Sequence, residues 1–92
     1  MSWILRFISV EMIVNYVIKI ITGITPAQIE RIKFWIIEVS DEALEGAQKK
    51  YKVVEKVKDF LDDEIMEKGE WVINFIIESL VAVLKSIGKI KA

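Results

Sequence analysis

The sequence predicts an all-α fold: four helices with short connections, packed as a small bundle and expected to assemble as a homo-oligomer. Three observations predict it. Apolar residues recur at three- and four-residue steps, the helical period, and the alternating pattern of a sheet protein is absent. Only one proline occurs. Glycines stand at 23, 46, 69 and 88, the first three spaced by 23 residues. A glycine just past a helix end is a common stop signal, because it takes the left-handed conformation without strain. Four blocks closed by glycine read as four helices, and the blocks show no convincing sequence repeat.

Helix 1 is expected from about Ser2 to Thr22. Helix 2 opens with the best cap in the chain, "ITPAQ": Thr25 as N-cap, Pro26 at the first helical position, and Gln28 completing a capping box. Its core stripe is Ile29, Ile32, Ile36, Val39 and Ala43, and Phe34 and Ile37 form a second apolar face. Within "VSDEALEG", Ser40 could cap a new helix with Asp41 and Glu42 in its first turn. A helix continuous to about Glu45 is preferred. Helix 3, "AQKKYKVVEKVKDFLDD", is expected to bury Tyr51, Val54, Val57, Phe60 and Leu61. Its lysines lead and its aspartates trail, opposing the macrodipole by a few tenths of a kcal/mol per charge, so packing must hold it. Helix 4, "EWVINFIIESLVAVLKSI", is apolar on most of its circumference, with Glu70, Asn74 and Glu78 as a narrow polar stripe. Such a helix needs burial on several sides.

The chain forms one domain, residues 1–92, with 1–23 as an apolar membrane or oligomerisation element and 25–88 as the bundle. A chain of this size buries only about 60–65% of its unfolded surface, so an isolated monomer is marginal. Yet 53% of its residues are hydrophobic and its mean hydropathy is +0.38. Ordinary soluble domains sit at about 45–50% even with glycine included. The excess calls for a partner subunit or a lipid phase.

Thirteen basic and fourteen acidic residues leave a net charge of −1. That provides no global attraction to nucleic acid, and no nucleic-acid partner is expected. Cysteine and histidine are both absent. The chain therefore lacks the usual general base, zinc ligands and triad partner, which argues against an enzyme. No cofactor, metal or small-molecule substrate is expected. The first residues make a poor secretory signal, because Glu11 and Lys19 interrupt the apolar run and no A-x-A-like site precedes Pro26. The segment is expected to stay in the mature protein.

The stretch "FISVEMIVNYVIKIITGI" carries the main functional question. Residues 3 to 24 span about 33 Å as a helix, enough for a bilayer core. Roughly fourteen apolar side chains favour insertion by about 0.3–0.6 kcal/mol each, while Glu11 and Lys19 oppose it by about 2.5–3.5 each. The sum lies near zero. Glu11, Asn15, Lys19 and Thr22 fall within about 80° of a helical wheel. That stripe could face a bundle interior or an aqueous lesion. It could mark an amphipathic helix in a membrane interface. By a small margin, spacing alone favours an ordinary surface helix with the stripe toward solvent.

Other motifs are weaker. "DFLDDEIMEKGE" gathers oxygen ligands but lacks the order of a calcium loop, so a solvated corner is preferred to a cation site. Lys49, Lys52 and Lys56 share a helix face and could meet anionic lipid or a partner. Glu55 and Asp59 within a turn of these lysines favour ordinary surface pairs. Trp3, Trp35 and Trp71 are candidate membrane-interface or subunit aromatics.

From about Ile29 to Ile87 the order of features resembles the LL-H type of phage holins, small membrane proteins associated with lysis. "WIIEVSDEALEG", "GAQKKYKVVEKVKDFL" and "IIESLVAVL" carry the resemblance. Gly46, Lys49, Lys50, Val53, Val57 and Leu61 match the family's glycine, paired lysines and valine-rich helix; Ile77, Glu78 and Val81 match its terminal helix. The likeness covers about two thirds of the chain through motifs of low specificity. In that family the N-terminal part is one clean membrane span, whereas here Glu11 and Lys19 interrupt it.

The resemblance implies a phage-encoded, holin-like protein, membrane-associated in a bacterial host, non-enzymatic and self-assembling, with Glu11, Asn15 and Lys19 toward water. The alternative expectation is a soluble homo-oligomeric structural or assembly protein, cytoplasmic or within a phage particle, whose apolar surplus is subunit interface.

Overall fold

The computed structural model describes residues 10–90. Five helices occur in them, and no strand: α1 (Val10–Thr22), α2 (Pro26–Ser40), α3 (Gly46–Phe60), α4 (Asp63–Met66) and α5 (Glu70–Ser86). Residues 2–9 of the expected first helix lie outside the described part. The all-α fold stands as predicted, with a short fifth helix added.

The cap of α2 forms as the sequence asks. The Gln28 amide donates to Thr25 Oγ1 at 3.1 Å, and the Thr25 amide donates to Gln28 Oε1 at 2.9 Å. Ile29, Ile32, Ile36 and Val39 are all buried, but Ala43 is exposed beyond the helix. The helix ends at Ser40, not near Glu45, and Ser40 starts no new one. The Ser40 hydroxyl donates to the Ile37 carbonyl at 2.7 Å and the Glu42 amide to the Val39 carbonyl at 3.0 Å. Serine and aspartate offer the backbone such alternatives to helix. Past Val39 only Ala43 continues the apolar stripe, too little to hold another turn on the core.

Gly46 therefore opens α3 rather than closing α2. Val53, Val57 and Leu61 are the buried positions; Tyr51 is exposed, and Val54 and Phe60 are half-buried. The buried stripe runs through Val53 rather than Tyr51, so it is turned from the expected one. Phe60 instead meets Trp35 edge to face, with ring centroids 5.0 Å apart. The chain leaves α3 at Leu61, and α4 then drops Ile65 into the core.

Gly69 enters α5 at φ +110°, and a Cβ there would stand 3.2 Å from the Trp71 ring. That combination admits only glycine comfortably. At the other end the Lys89 amide donates to the Leu84 carbonyl at 2.8 Å and the Gly88 amide to the Lys85 carbonyl at 3.2 Å. These paired bonds close the helix in a Schellman motif around a left-handed Gly88. Between them α5 buries Val72, Ile73, Ile76, Ile77, Leu80, Val83 and Leu84 and exposes Glu70, Asn74 and Glu78. Every other helix packs against it. The need for burial on several sides is met.

Candidate functional site

The first helix sits in the bundle the opposite way from the solvent-stripe expectation. Thr22 is buried, and Glu11 and Asn15 are half-buried, on the arc that also carries buried Ile18. On a helical wheel these four fall within about 60°. Lys19 lies about 80° from Glu11 on the wheel and is exposed. The predicted stripe is therefore divided: its first two members turn toward the other helices and its third toward solvent.

The inward arc has polar partners. Glu11 accepts from Lys33 Nζ at 3.0 Å, and Glu30 takes the same ammonium at 3.3 Å. The Lys33 side chain is 5% exposed against 35% for Glu11. A buried ammonium needs such partners, since burying a charge unpaired costs several kcal/mol. Thr22 Oγ1 donates to the Ile18 carbonyl at 2.6 Å, and Lys68 Nζ donates to the Thr22 carbonyl at 2.9 Å. The cation of Lys68 thus closes the negative end of α1. Asn15 Oδ1 is buried without a hydrogen-bond partner among the described residues. Lys33 is the residue that sequence reading missed. Its signal was a charge within one turn of Ile29, Ile32 and Ile36, matched by an acid in another apolar helix.

With its polar arc inward, α1 turns its apolar arc out. Ile13, Tyr16, Val17, Ile20 and Ile21 are exposed, Tyr16 and Ile20 by 65% and 63%, and Met12 stands exposed at the margin. Their exposed surface is roughly 500–600 Å², the upper end for the largest apolar patch of a typical monomer. Beside it a groove of about 270 Å³ runs between α1 and α5, walled by Val14, Val17, Phe75, Ala82 and Val83 with Ser79 as its polar member. Trp71 is half exposed, and its indole Nε1 donates to the Lys68 carbonyl at 2.6 Å, next to the end of α1.

Comparison with known proteins finds no match. No family model, no curated protein and no solved structure matches the chain.

The remaining predicted contacts are occupied within the bundle. Lys49 Nζ donates to the Ser40 carbonyl at 2.8 Å, Lys52 pairs with Glu42 at 2.9 Å, and Lys56 reaches Glu38 at 4.0 Å. These acids lie on or just after α2, not at Glu55 and Asp59, so the lysines fasten α3 to its neighbour. Lys56 also stands 5.7 Å from the Trp35 ring centroid, and Arg31 stands 5.5 Å from it. Trp35 is thereby half-buried between α2 and α3, Trp71 is at the surface, and Trp3 lies outside the described residues. Among the described residues no three acidic side chains converge as metal ligands would. No single described helix is long and apolar enough to cross a membrane; α1 and α2 meet the length and composition test only as a pair bent by 116°.

Proposed function

We propose that this chain is a self-assembling helical protein without catalytic activity, joined to a second copy through the outer face of α1. One observation carries the reading: an arc of large apolar side chains on α1 is exposed while Glu11, Asn15 and Thr22 are turned inward. Stable pairs bury about 800 Å² per partner. The α1 face supplies most of that area, and the adjoining groove and Trp71 extend it. A net charge of −1 puts little electrostatic repulsion between copies.

The test is the mass of the full chain in detergent-free solution across a range of concentrations. A defined oligomer is expected, and the double variant Tyr16→Asp/Ile20→Asp should be monomeric while melting within a few degrees of the parent. A native chain that stays monomeric at high micromolar concentration overturns the proposal.

The second reading is a holin-like, membrane-associated assembly. The bent α1–α2 pair favours it, because the two helices together have the length and composition of a span. Its opening requires the Glu11–Lys33 pair to break. Recovery of the chain in alkali-washed membranes, rather than in the soluble fraction, selects this reading over the first.

A further inference from the structure

A second concave site lies between α2, α3 and α5, and no residue of α1 lines it. It is half open to solvent and offers about 590 Å³, within the range of about 300–1,000 Å³ typical of small-molecule sites. Ile36, Val39, Val53, Ile77, Val81 and Ile90 wall it. Charges are confined to its rim, where Lys49, Lys50 and Lys85 stand with a single acid, Glu78.

The lining carries more lysine than acid although the chain as a whole is slightly acidic. Glu78 is held by Lys50 at 3.1 Å. Lys49 gives one N–H to the Ser40 carbonyl and keeps two of its three donors. Lys85 has no ion pair among the described residues. Lys49 and Lys85 therefore form no ion pair among the described residues, while Asp41 and Glu42 line the adjoining hollow with Lys49 and Glu42 is taken by Lys52. Interior water gains little over the pocket's apolar floor, since the walls offer it few hydrogen bonds. A ligand that satisfies both parts has one anionic head and one apolar tail.

We propose that this pocket binds a single-chain anionic amphiphile, its acyl chain between α2, α3 and α5 and its head on Lys49 and Lys85. The head is a fatty-acid carboxylate or a lysophospholipid phosphate. The site shares Ala82 with the groove beside α1 and takes no residue from α1 itself, so shifts at Val53 and Lys85 distinguish it from binding to the α1 face.

The experiment titrates the full chain, below micelle-forming concentrations, with dodecanoate, lauroyl lysophosphatidic acid and dodecanol. Binding is followed by calorimetry and by backbone amide shifts. Saturable one-to-one binding is expected for both anions, at least tenfold tighter than for dodecanol, with shifts at Val53, Val81 and Lys85. The tighter of the two anions identifies the source of the head group. Lys85→Gln should weaken anion binding about fivefold, the worth of one partly solvated ion pair, and leave dodecanol unchanged. Gly46→Leu, whose new side chain enters open space at the pocket lip, should weaken all three ligands without lowering the melting temperature. Absence of saturable binding overturns the proposal. So does equal affinity for dodecanol and the anions, or shifts confined to α1.

Discussion

Two helices of this chain are written in nearly the same order and packed in opposite senses. Residues 11–19 read EMIVNYVIK and residues 70–78 read EWVINFIIE. In each, an acid, an asparagine and a final charge stand four residues apart among apolar residues. In α5 the polar members Glu70, Asn74 and Glu78 face solvent; in α1 Glu11 and Asn15 face the bundle. Ile76 is buried where its counterpart Val17 is exposed, and Val72 is buried where Ile13 is exposed. A helical period locates the two faces of a helix but does not say which one the fold will use. Neighbours decide that. The α5 helix lies among all the others, so its apolar circumference finds cover on several sides. The α1 helix meets α2 at Lys33, an ammonium that needs an acid, and only its polar face carries one.

The largest effect should come from truncating matched apolar positions. Ile76→Ala opens a cavity at a fully buried site and should cost about 3 kcal/mol. Val17→Ala, at the matching position on α1, should cost about 0.5 kcal/mol or less in the folded monomer. Urea unfolding at one fixed, low protein concentration separates the two, because association otherwise adds to apparent stability. Equal losses would mean that α1 buries its apolar arc within the single chain after all.

Much of this fold was legible because local rules and burial agree over α2 and α5. The Thr25–Gln28 box, the Ile29–Val39 stripe and the Glu70–Glu78 stripe all lie where periodicity and capping chemistry put them. The end of α2 was less legible, since Ser40 and Asp41 can either start or finish a helix and only tertiary contacts choose. The facing of α1 was not legible. Its partner Lys33 lies 22 residues away, and a single lysine in an apolar arc carries no label for the acid it will meet. The exposed apolar face of the candidate site could be read as a surplus of hydrophobic residues, but its location followed from that one long-range pair.

The pair itself supplies the middle-sized effect. Glu11→Gln leaves Lys33 with the mostly exposed Glu30 alone, and should cost about 1–2 kcal/mol. The matched change Glu70→Gln removes a carboxylate that is 82% exposed and 3.8 Å from Lys58, so it should cost only a few tenths of a kcal/mol, from its place in the first turn of α5. In a Lys33→Met background, Glu11→Gln should lose most of its cost, giving a coupling of about 1 kcal/mol or more in a double-mutant cycle. A coupling near zero would mean that the Lys33 ammonium does not orient α1, and the facing of that helix would need another cause.

The smallest effect tests the two asparagines, and it has the opposite sign. Asn15 Oδ1 is buried and unpartnered, whereas Asn74 is exposed. An unsatisfied buried acceptor costs about 1–3 kcal/mol, so Asn15→Leu should raise stability by about 1 kcal/mol. For a domain of this size that is roughly 4–8 °C in melting temperature. Leucine is also a better helix former than asparagine by a few tenths of a kcal/mol, a gain that both sites share. Asn74→Leu therefore measures the propensity alone, and the difference between the variants isolates the buried oxygen. Leucine at 15 has room to lean outward, since the residue is only half-buried. If both variants gain equally, Asn15 Oδ1 is hydrated or hydrogen-bonded in solution, and the inward face of α1 is better satisfied than its contacts imply. If Asn15→Leu gains more than Asn74→Leu, the polar arc of α1 carries a residue that does not serve the stability of the single chain. The contrast with α5 then becomes energetic as well as geometric: one helix spends its asparagine on solvent, while the other holds it against the bundle at a loss.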